Sequence, residues 1–179
     1  MREIMNLDVS PIIRDAFLFY TRIARNKNLE ASKRAEHIAC LLALFVEDEN
    51  TIAASILREA VIYGASIDDI SELFGEEVAD LVCELTVTFQ DDNVVNRNLF
   101  LVKHYNTISS EALAVRLTTK LYEVMGLTDS VVPENFTNWY INDTKFILLN
   151  LTRELDQSHI NIVTNIEMAL FYVELTRNI

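Results

Sequence analysis

Histidine and cysteine can bind a metal, and glycine can form a phosphate-binding loop, but the spacing of these residues in this sequence is unfavourable. His37, His104 and His159 stand far apart, and no His-x-x-x-His or Cys-x-x-Cys pair occurs. Zinc sites built on sequence motifs need such close pairs. Three well-separated glycines cannot form a phosphate-binding loop, and no nucleophile elbow is present. The residue patterns alone therefore point to no particular reaction.

Basic side chains are concentrated in one short segment, which contains Arg22, Arg25, Lys27, Lys33 and Arg34. Such a cluster suits one small anion, but it is too short to follow a nucleic-acid backbone. The whole chain has 15 basic and 27 acidic residues, and its formal charge is −12. Nucleic-acid binders instead need a basic surface that neutralises phosphates. We therefore expect no nucleic-acid partner.

The elements that must position any site are predicted to be helices. Apolar residues recur every three or four positions, as in Leu113, Leu117, Leu121 and Val124. Glycine and proline, which interrupt helices, occur only 3 and 2 times. No strand-like alternation competes with this period. The sequence therefore predicts an all-α fold of roughly seven or eight helices.

Local signals place several helix ends. Ser66, Ser109 and the pair Ser10-Pro11 are favourable helix starts, and Gly75 is a favourable helix end. Residues 90–98 are the most polar stretch and are predicted to be a loop or a frayed end. The surroundings of His159 are also predicted to be a loop.

We expect a single domain over residues 1–179, because no repeat, linker or low-complexity tract interrupts the chain. The longest apolar run, residues 38–46, has nine residues, and a membrane span needs about 18–20. No export signal is apparent, so we expect a cytoplasmic protein without a membrane partner. In that compartment Cys40 and Cys83 are expected to be reduced, and their apolar neighbours predict that they are buried.

Three segments share a pattern with a known family. Residues 52–63 read IAASILREAVIY, residues 66–86 read SIDDISELFGEEVADLVCELT, and residues 110–123 read SEALAVRLTTKLYE. They resemble the HD-domain phosphohydrolases, specifically the (p)ppGpp hydrolases of the RelA/SpoT type and their small stand-alone animal homologues. The likeness runs from about residue 12 to residue 175. It implies one HD-domain-like helical bundle.

The positions that bind metal in that family are largely changed here. The family holds Mn²⁺ through a first His, a His-Asp pair and a distant Asp. By the resemblance, His37 matches the first His, which follows a basic motif in the family. Arg58 and Glu59 fall on the His-Asp pair, and Thr119 falls on the distant Asp.

The positions that handle proton and substrate also depart from the family. A Glu-Asp pair that orients or activates the attacking water falls on Ile62 and Tyr63, and a substrate-facing Asn falls on Glu123. Arg25 and Lys27, by contrast, match basic family positions near the substrate. The resemblance therefore implies a retained basic pocket without the acids of hydrolysis.

Two functions follow from this comparison. A divalent cation needs about four to six ligands, mostly anionic or imidazole, whereas Arg58 brings a permanent positive charge. We therefore expect a catalytically inactive HD-domain pseudohydrolase with no metal cofactor, acting by ligand sensing or by protein interaction. The alternative is a metal-dependent (p)ppGpp 3′-pyrophosphohydrolase, or a related nucleotide phosphohydrolase, whose altered metal site uses His37, Glu59 and Glu123.

The expected ligand is a phosphorylated nucleotide that is bound without being cleaved. The candidate ligand-binding residues are Arg25, Lys27, His37, Arg58, Lys120, Tyr122 and Glu123. The competing interpretation is that Arg58 and Glu59 form an ion pair that fills the site.

A protein partner or a homodimer is the other possibility that the sequence leaves open. The mean hydropathy of +0.16 is high for a small monomer. Candidate aromatic anchors are Phe17, Phe19 and Tyr20, or Phe136, Trp139 and Tyr140. At helical spacing, such residues more often belong to a core.

Overall fold

The computed structural model describes residues 10–24, 29–87, 94–129 and 131–177. Within these residues the chain forms nine helices and no strand: α1 (Pro11–Ala24), α2 (Leu29–Leu42), α3 (Glu49–Ile62), α4 (Ile67–Phe74), α5 (Glu76–Thr86), α6 (Val94–Thr107), α7 (Ser110–Gly126), α8 (Glu134–Leu149) and α9 (Gln157–Arg177). The predicted all-α class is confirmed, with one or two helices more than expected. No helix in this part of the chain is long and apolar enough to cross a membrane.

Several helix ends lie where the sequence predicted them. The Ser66 hydroxyl accepts a hydrogen bond from the Asp69 backbone N–H at 3.0 Å. The Ser109 hydroxyl accepts one from the Ala112 backbone N–H at 3.2 Å. Gly75 separates α4 from α5 with φ +91°, a backbone conformation that glycine adopts without strain. These residues fix the helix boundaries through local chemistry.

The structure contradicts the loop predicted around His159 and, for residues 94–98, the loop or frayed end predicted over residues 90–98. Residues 94–98 form the start of α6, and residues 90–93 lie outside the described residues. His159 lies in the first turn of α9 and is 1% exposed. Its Nε2 lies 2.9 Å from the carbonyl oxygen of Ser110. The polar ring is therefore a partnered core residue, which sequence polarity alone does not indicate.

Both cysteines are exposed, so the prediction that they are buried is wrong. Cys40 follows buried Ala39, and Cys83 follows buried Val82. A helix buries a stripe of its surface, and a residue next to that stripe in sequence is rotated away by about 100°. Apolar neighbours therefore did not decide the orientation of either thiol.

The chain divides into two compact units, and Met1–Val87 forms the first. Helix α3 is central to this unit and packs against α1, α2 and α5, while α4 packs against α5. Residues 51–57 of α3 are all buried. Ala53 and Ala54 lie at 0% exposure, and their small side chains allow neighbouring helices to approach closely. This environment surrounds the part of α3 that precedes Arg58.

The second unit is Thr88–Ile179, in which α7 packs against α9 and α8, and α6 packs against α8. The predicted stripe on α7 is buried, as is the facing stripe on α9; the buried residues are Leu113, Leu117, Leu121, Val124, Ile162, Ile166, Leu170 and Val173. Their spacing of three and four is that of helix faces packed together. The single domain over residues 1–179 stays a prediction.

Candidate functional site

The candidate site residues fall in both units, and in the first unit Arg58 and Glu59 form an ion pair. The Arg58 Nη1 lies 2.8 Å from the Glu59 Oε1. The two side chains are 16% and 6% exposed. The pair joins consecutive residues of α3, and its carboxylate is the more deeply buried partner. The Arg58–Glu59 ion pair that the sequence left open is therefore present.

Arg58 is also anchored to the end of α5. Its Nε donates to the Leu85 carbonyl oxygen at 3.2 Å. A cation is favoured there, because the last carbonyls of a helix form the negative end of its dipole. A guanidinium has five N–H donors, and two of them have partners among the described residues. Arg58 is thus fixed in orientation, and its other Nη1 and Nη2 donors have no hydrogen-bond partner among the described residues.

Ile62 and Tyr63, which the resemblance matches to the family Glu-Asp pair, differ in their surroundings: Ile62 faces solvent, and Tyr63 contacts a buried ring. Ile62 is 59% exposed. The Tyr63 ring lies 6.1 Å from the fully buried ring of Tyr20. The Tyr20 hydroxyl has no hydrogen-bond partner among the described residues. Burial, with further contributions from Tyr63 and Glu59, raises the pKa of Tyr20 to about 12.

The remaining predicted residues of the first unit are His37, Arg25 and Lys27. His37 lies on α2 and is exposed, and Arg25 and Lys27 lie outside the described residues. Among the residues that the structure describes, no group of three or more His, Cys, Asp or Glu side chains is arranged to hold a metal ion.

In the second unit, the residues matched to the distant Asp and its neighbour are both buried. Thr119 is 8% exposed, and its hydroxyl donates to the Val115 carbonyl oxygen of its own helix at 2.8 Å. Lys120 is 6% exposed. Its Nζ lies 3.2 Å from the Asp143 Oδ2 and 4.4 Å from the centre of the Tyr140 ring. Lys120 is therefore committed to partners inside its own unit.

Asp143 is the centre of a polar network on α8. Its side chain is 0% exposed and also forms an ion pair with Arg97, whose Nη1 lies 2.7 Å from the Asp143 Oδ1. The Arg97 guanidinium lies 5.3 Å from the centre of the Trp139 ring, within the range of a cation–π contact. One buried carboxylate thus contacts two cations, of which Lys120 is buried and Arg97 is partly exposed to solvent.

The last two candidates, Tyr122 and Glu123, are half-buried. The Tyr140 hydroxyl donates a hydrogen bond to Glu123. Burial and the nearby Glu123 carboxylate raise the pKa of Tyr140 above its usual value. Glu123 therefore acts as an acceptor for a buried phenol.

Arg97 and Asp143 are site residues that the sequence analysis missed. Asp143 lies three positions after Tyr140 and four before Ile147, both of which are buried. A helical face that contains an acid between two buried apolar residues is the signal that would have identified it. Arg97 carried no comparable signal, because it stands in the polar stretch that was expected to be a loop.

The candidate aromatic anchors divide between core and surface. Phe19, Tyr20 and Tyr140 are buried, and Phe17 is half-buried. The exposed aromatic residues of the second set are Phe136 and Trp139, at 45% and 36%.

Comparison with solved structures defines the fold. The chain is similar to a metazoan ortholog of SpoT that hydrolyses ppGpp, with 19% identity over 96% of this chain and 98% of that chain and a TM-score of 0.73. It is also similar to a protein of Listeria monocytogenes EGD-e, with 20% identity over 79% of this chain and 99% of that chain and a TM-score of 0.60. No family model matches this chain, and no curated protein matches its sequence. The fold is that of an HD-domain-like helical bundle, as the resemblance implied.

Proposed function

We propose that this protein is a catalytically inactive HD-domain pseudohydrolase that binds a phosphorylated nucleotide without cleaving it. The observation that carries the proposed inactivity is the Arg58–Glu59 ion pair, with 2.8 Å between Nη1 and Oε1, at the positions that the resemblance assigns to the His-Asp metal ligands. The similarity to a ppGpp hydrolase fold supports the nucleotide as the ligand class. We further propose a cytoplasmic location and no nucleic-acid or membrane partner.

The side chains at these positions do not fit a divalent cation. Arg58 has no acceptor atom and carries a fixed positive charge. It also donates a hydrogen bond to the Glu59 carboxylate, which would otherwise be available as a metal ligand. The Thr119 hydroxyl donates its hydrogen bond to a backbone carbonyl oxygen of its own helix. A second cation placed beside Arg58 would be repelled in a partly buried environment. The pseudohydrolase therefore needs no metal cofactor.

An anion fits Arg58 better than a metal does. Two of its donors hold it in place, and the others form part of a planar fork that matches phosphate oxygens. We assign Arg58 as the principal phosphate ligand, with Arg25, Lys27 and His37 as further candidates. Lys120 is a weaker candidate, because Asp143 already neutralises it. Tyr122 and Glu123 belong to the second unit and stay candidates through the resemblance alone.

The alternative function is metal-dependent hydrolysis of (p)ppGpp or a related nucleotide. It requires His37, Glu59 and Glu123 to hold the metal. The fold similarity supports this alternative as much as it supports binding. The partners of Glu59 and Glu123 count against it, since one carboxylate pairs with Arg58 and the other accepts a bond from Tyr140.

Thermal unfolding of the purified protein tests the proposal. The ligands are ppGpp, GTP, GDP, NADPH, pyrophosphate, Mn²⁺ and Zn²⁺, each added alone. A ligand at about 100 times its Kd stabilises the native state by about 2.7 kcal/mol, which raises the melting temperature of a chain this size by about 5–10 °C. We expect this shift with a nucleotide in the absence of metal. Arg58→Ala should abolish it, while Arg14→Ala, which removes an exposed arginine of the same unit, should not.

Two outcomes overturn the proposal. If Mn²⁺ raises the melting temperature, His37→Ala removes that shift, and phosphate or pyrophosphate is released from a nucleotide, the protein is a hydrolase. If no nucleotide raises the melting temperature, the ion pair closes the site and the binding part of the proposal is wrong. In that second case the remaining function is protein interaction.

A further inference from the structure

Helix α9 is apolar on two opposite sides. Its inner side consists of Ile162, Ile166, Leu170 and Val173, which are buried in the unit that contains α7. Its outer side carries Met168, Phe171 and Leu175, which are 64%, 68% and 63% exposed. A surface helix normally has one apolar stripe and one polar face. A second apolar stripe indicates a surface that is covered in the functional assembly.

The outer side of α9 has the spacing of a helix-pairing seam. Thr164, Met168, Phe171 and Leu175 follow one another at intervals of four, three and four residues. This is the a/d spacing with which two helices pack knobs into holes. The spacing therefore favours a helix as the occupant of this surface.

A groove between α8 and α9 adjoins the seam. Its volume is about 300 Å³. Its apolar lining is Leu148, Leu149, Val163, Leu170 and Phe171, and its polar rim is Lys145, Glu167 and Glu174. Leu149 is 84% exposed. The same surface thus offers both protruding apolar side chains and a groove that can receive them.

We propose that this surface, the α8–α9 face (Phe146, Leu149, Met168, Phe171, Tyr172 and Leu175, with the groove), is the interface of a symmetric homodimer. An isologous contact requires one surface to complement itself, and projections beside a groove meet that requirement. The rim also carries charges of both signs, because Lys145 pairs with Glu174 at 2.6 Å within each copy and Glu167 lines the same groove.

The exposed apolar area of this face approaches that of a standard interface. Each of these six side chains is between 38% and 84% exposed, and three are aromatic. A fully buried aromatic side chain contributes ~150–250 Å², so at their exposed fractions the three offer roughly 250–400 Å². The three aliphatic side chains and the groove extend this area toward the ~800 Å² that each partner contributes to a standard interface. The face therefore fits a second copy of this chain.

The charge of the chain gives the dimer a distinctive salt dependence. Each copy carries a formal charge of −12, and two copies repel each other through solvent. Salt screens that repulsion, and the apolar contact itself does not weaken with salt. We therefore expect the dimer to tighten as ionic strength rises. A basic helix from another protein would show the opposite dependence, because salt would weaken its attraction to an acidic chain.

Sedimentation velocity on the full chain tests the interface. We expect a monomer–dimer equilibrium whose dissociation constant falls from low to moderate salt. Phe171→Glu and Met168→Glu should each raise that constant at least about tenfold, since they place charge at the centre of the contact. Leu73→Glu is the matched control, because Leu73 is 57% exposed on α4, in the other unit. Both outer-side variants replace exposed residues, and circular dichroism should confirm that each remains folded.

A chain that sediments as a monomer at every concentration and salt overturns the proposal. So does a dimer that survives both α9 variants, since its interface must lie elsewhere. A folded Phe171→Glu protein that is monomeric beside a dimeric Leu73→Glu protein supports it. The rise in melting temperature with a nucleotide, and its loss in Arg58→Ala, is measured in a separate experiment. Failure of the dimer and failure of nucleotide binding are therefore distinguishable.

Discussion

The Lys120 ammonium lies 3.2 Å from the Asp143 carboxylate, and neither side chain is more than 7% exposed. The two residues are carried by different helices, α7 and α8, and are 23 positions apart in sequence. A buried cation is costly unless an anion compensates it. The contact therefore makes the packing of α8 near α7 conditional on one carboxylate, which also receives Arg97.

Asp143→Asn should be among the most destabilising single substitutions in this protein. It leaves Lys120 buried without a counter-ion, and breaking a buried pair in this way costs about 3–5 kcal/mol. Asp15→Asn is the control, since its pair with Arg14 joins side chains that are 55% and 51% exposed and such surface pairs contribute about 0–1 kcal/mol. Urea denaturation of both variants measures the difference. Equal costs would mean that Lys120 finds another partner or reaches water.

Contacts between residues that are close together in the sequence could be predicted, whereas contacts between distant residues could not. The caps at Ser66 and Ser109 involve a residue three positions away, and both were predicted. The Arg58–Glu59 pair joins adjacent residues, and the sequence left it open as one of two interpretations. The contact of Arg97 with Asp143 spans 46 positions, and it depends on which faces of α6 and α8 meet. No local pattern carries that information.

Sequence periodicity also left the buried side of some helices undecided. Cys40 and Cys83 stand among apolar residues but face outward. His159 stands among polar residues but is buried, because the Ser110 carbonyl gives its ring a partner. In both cases tertiary packing overrides local composition, since burial depends on the neighbour that covers a face.

The Arg58–Glu59 pair should show strong energetic coupling. In a double-mutant cycle with Arg58→Met and Glu59→Gln, each single variant leaves a partly buried charge without its partner, and the double variant removes both charges. We expect a coupling of about 1–3 kcal/mol in the free energy of unfolding. The control cycle uses Arg14→Met and Asp15→Asn, an adjacent pair whose side chains are 51% and 55% exposed; there the coupling should be near zero. Additive effects at Arg58 and Glu59 would contradict the buried pair.

Gly75 and Gly126 should respond oppositely to alanine. Gly75 has φ +91°, and Gly126 ends α7 without a positive φ; an added Cβ has open space at both. Gly75→Ala should therefore destabilise through backbone strain by roughly 1–2 kcal/mol. Gly126→Ala should stabilise by about 0.4–1 kcal/mol, because it reduces the entropy of the unfolded chain. Thermal unfolding of the two variants decides this, and a stabilising Gly75→Ala would show that the turn adopts another conformation.

Tyr20 and Tyr140 form a matched pair for the energetics of a buried hydroxyl. The Tyr20 hydroxyl has no hydrogen-bond partner among the described residues, whereas that of Tyr140 donates to Glu123. Tyr20→Phe should therefore be neutral or stabilising at pH 7, because it removes an unsatisfied polar group. Tyr140→Phe should cost about 1.5–3 kcal/mol, the range for a hydrogen bond to a charged group. Urea denaturation at pH 7 compares them, and an equal cost would mean that Tyr20 is hydrogen-bonded in solution.

Alkaline pH should destabilise the protein through the buried phenol of Tyr20. Its pKa is raised to about 12 in the folded chain, first by burial and then by Tyr63 and Glu59, whereas an unfolded tyrosine ionises near pH 10. Between these two values the unfolded chain has lost the proton that the folded chain keeps, so the free energy of unfolding falls as pH rises. The contribution is fully present below pH 10 and is lost by about pH 12. Tyr20→Phe should flatten this decline in urea titrations from about pH 9 to about pH 12. Parallel profiles for the natural protein and Tyr20→Phe would show that the folded phenol ionises no later than the unfolded one.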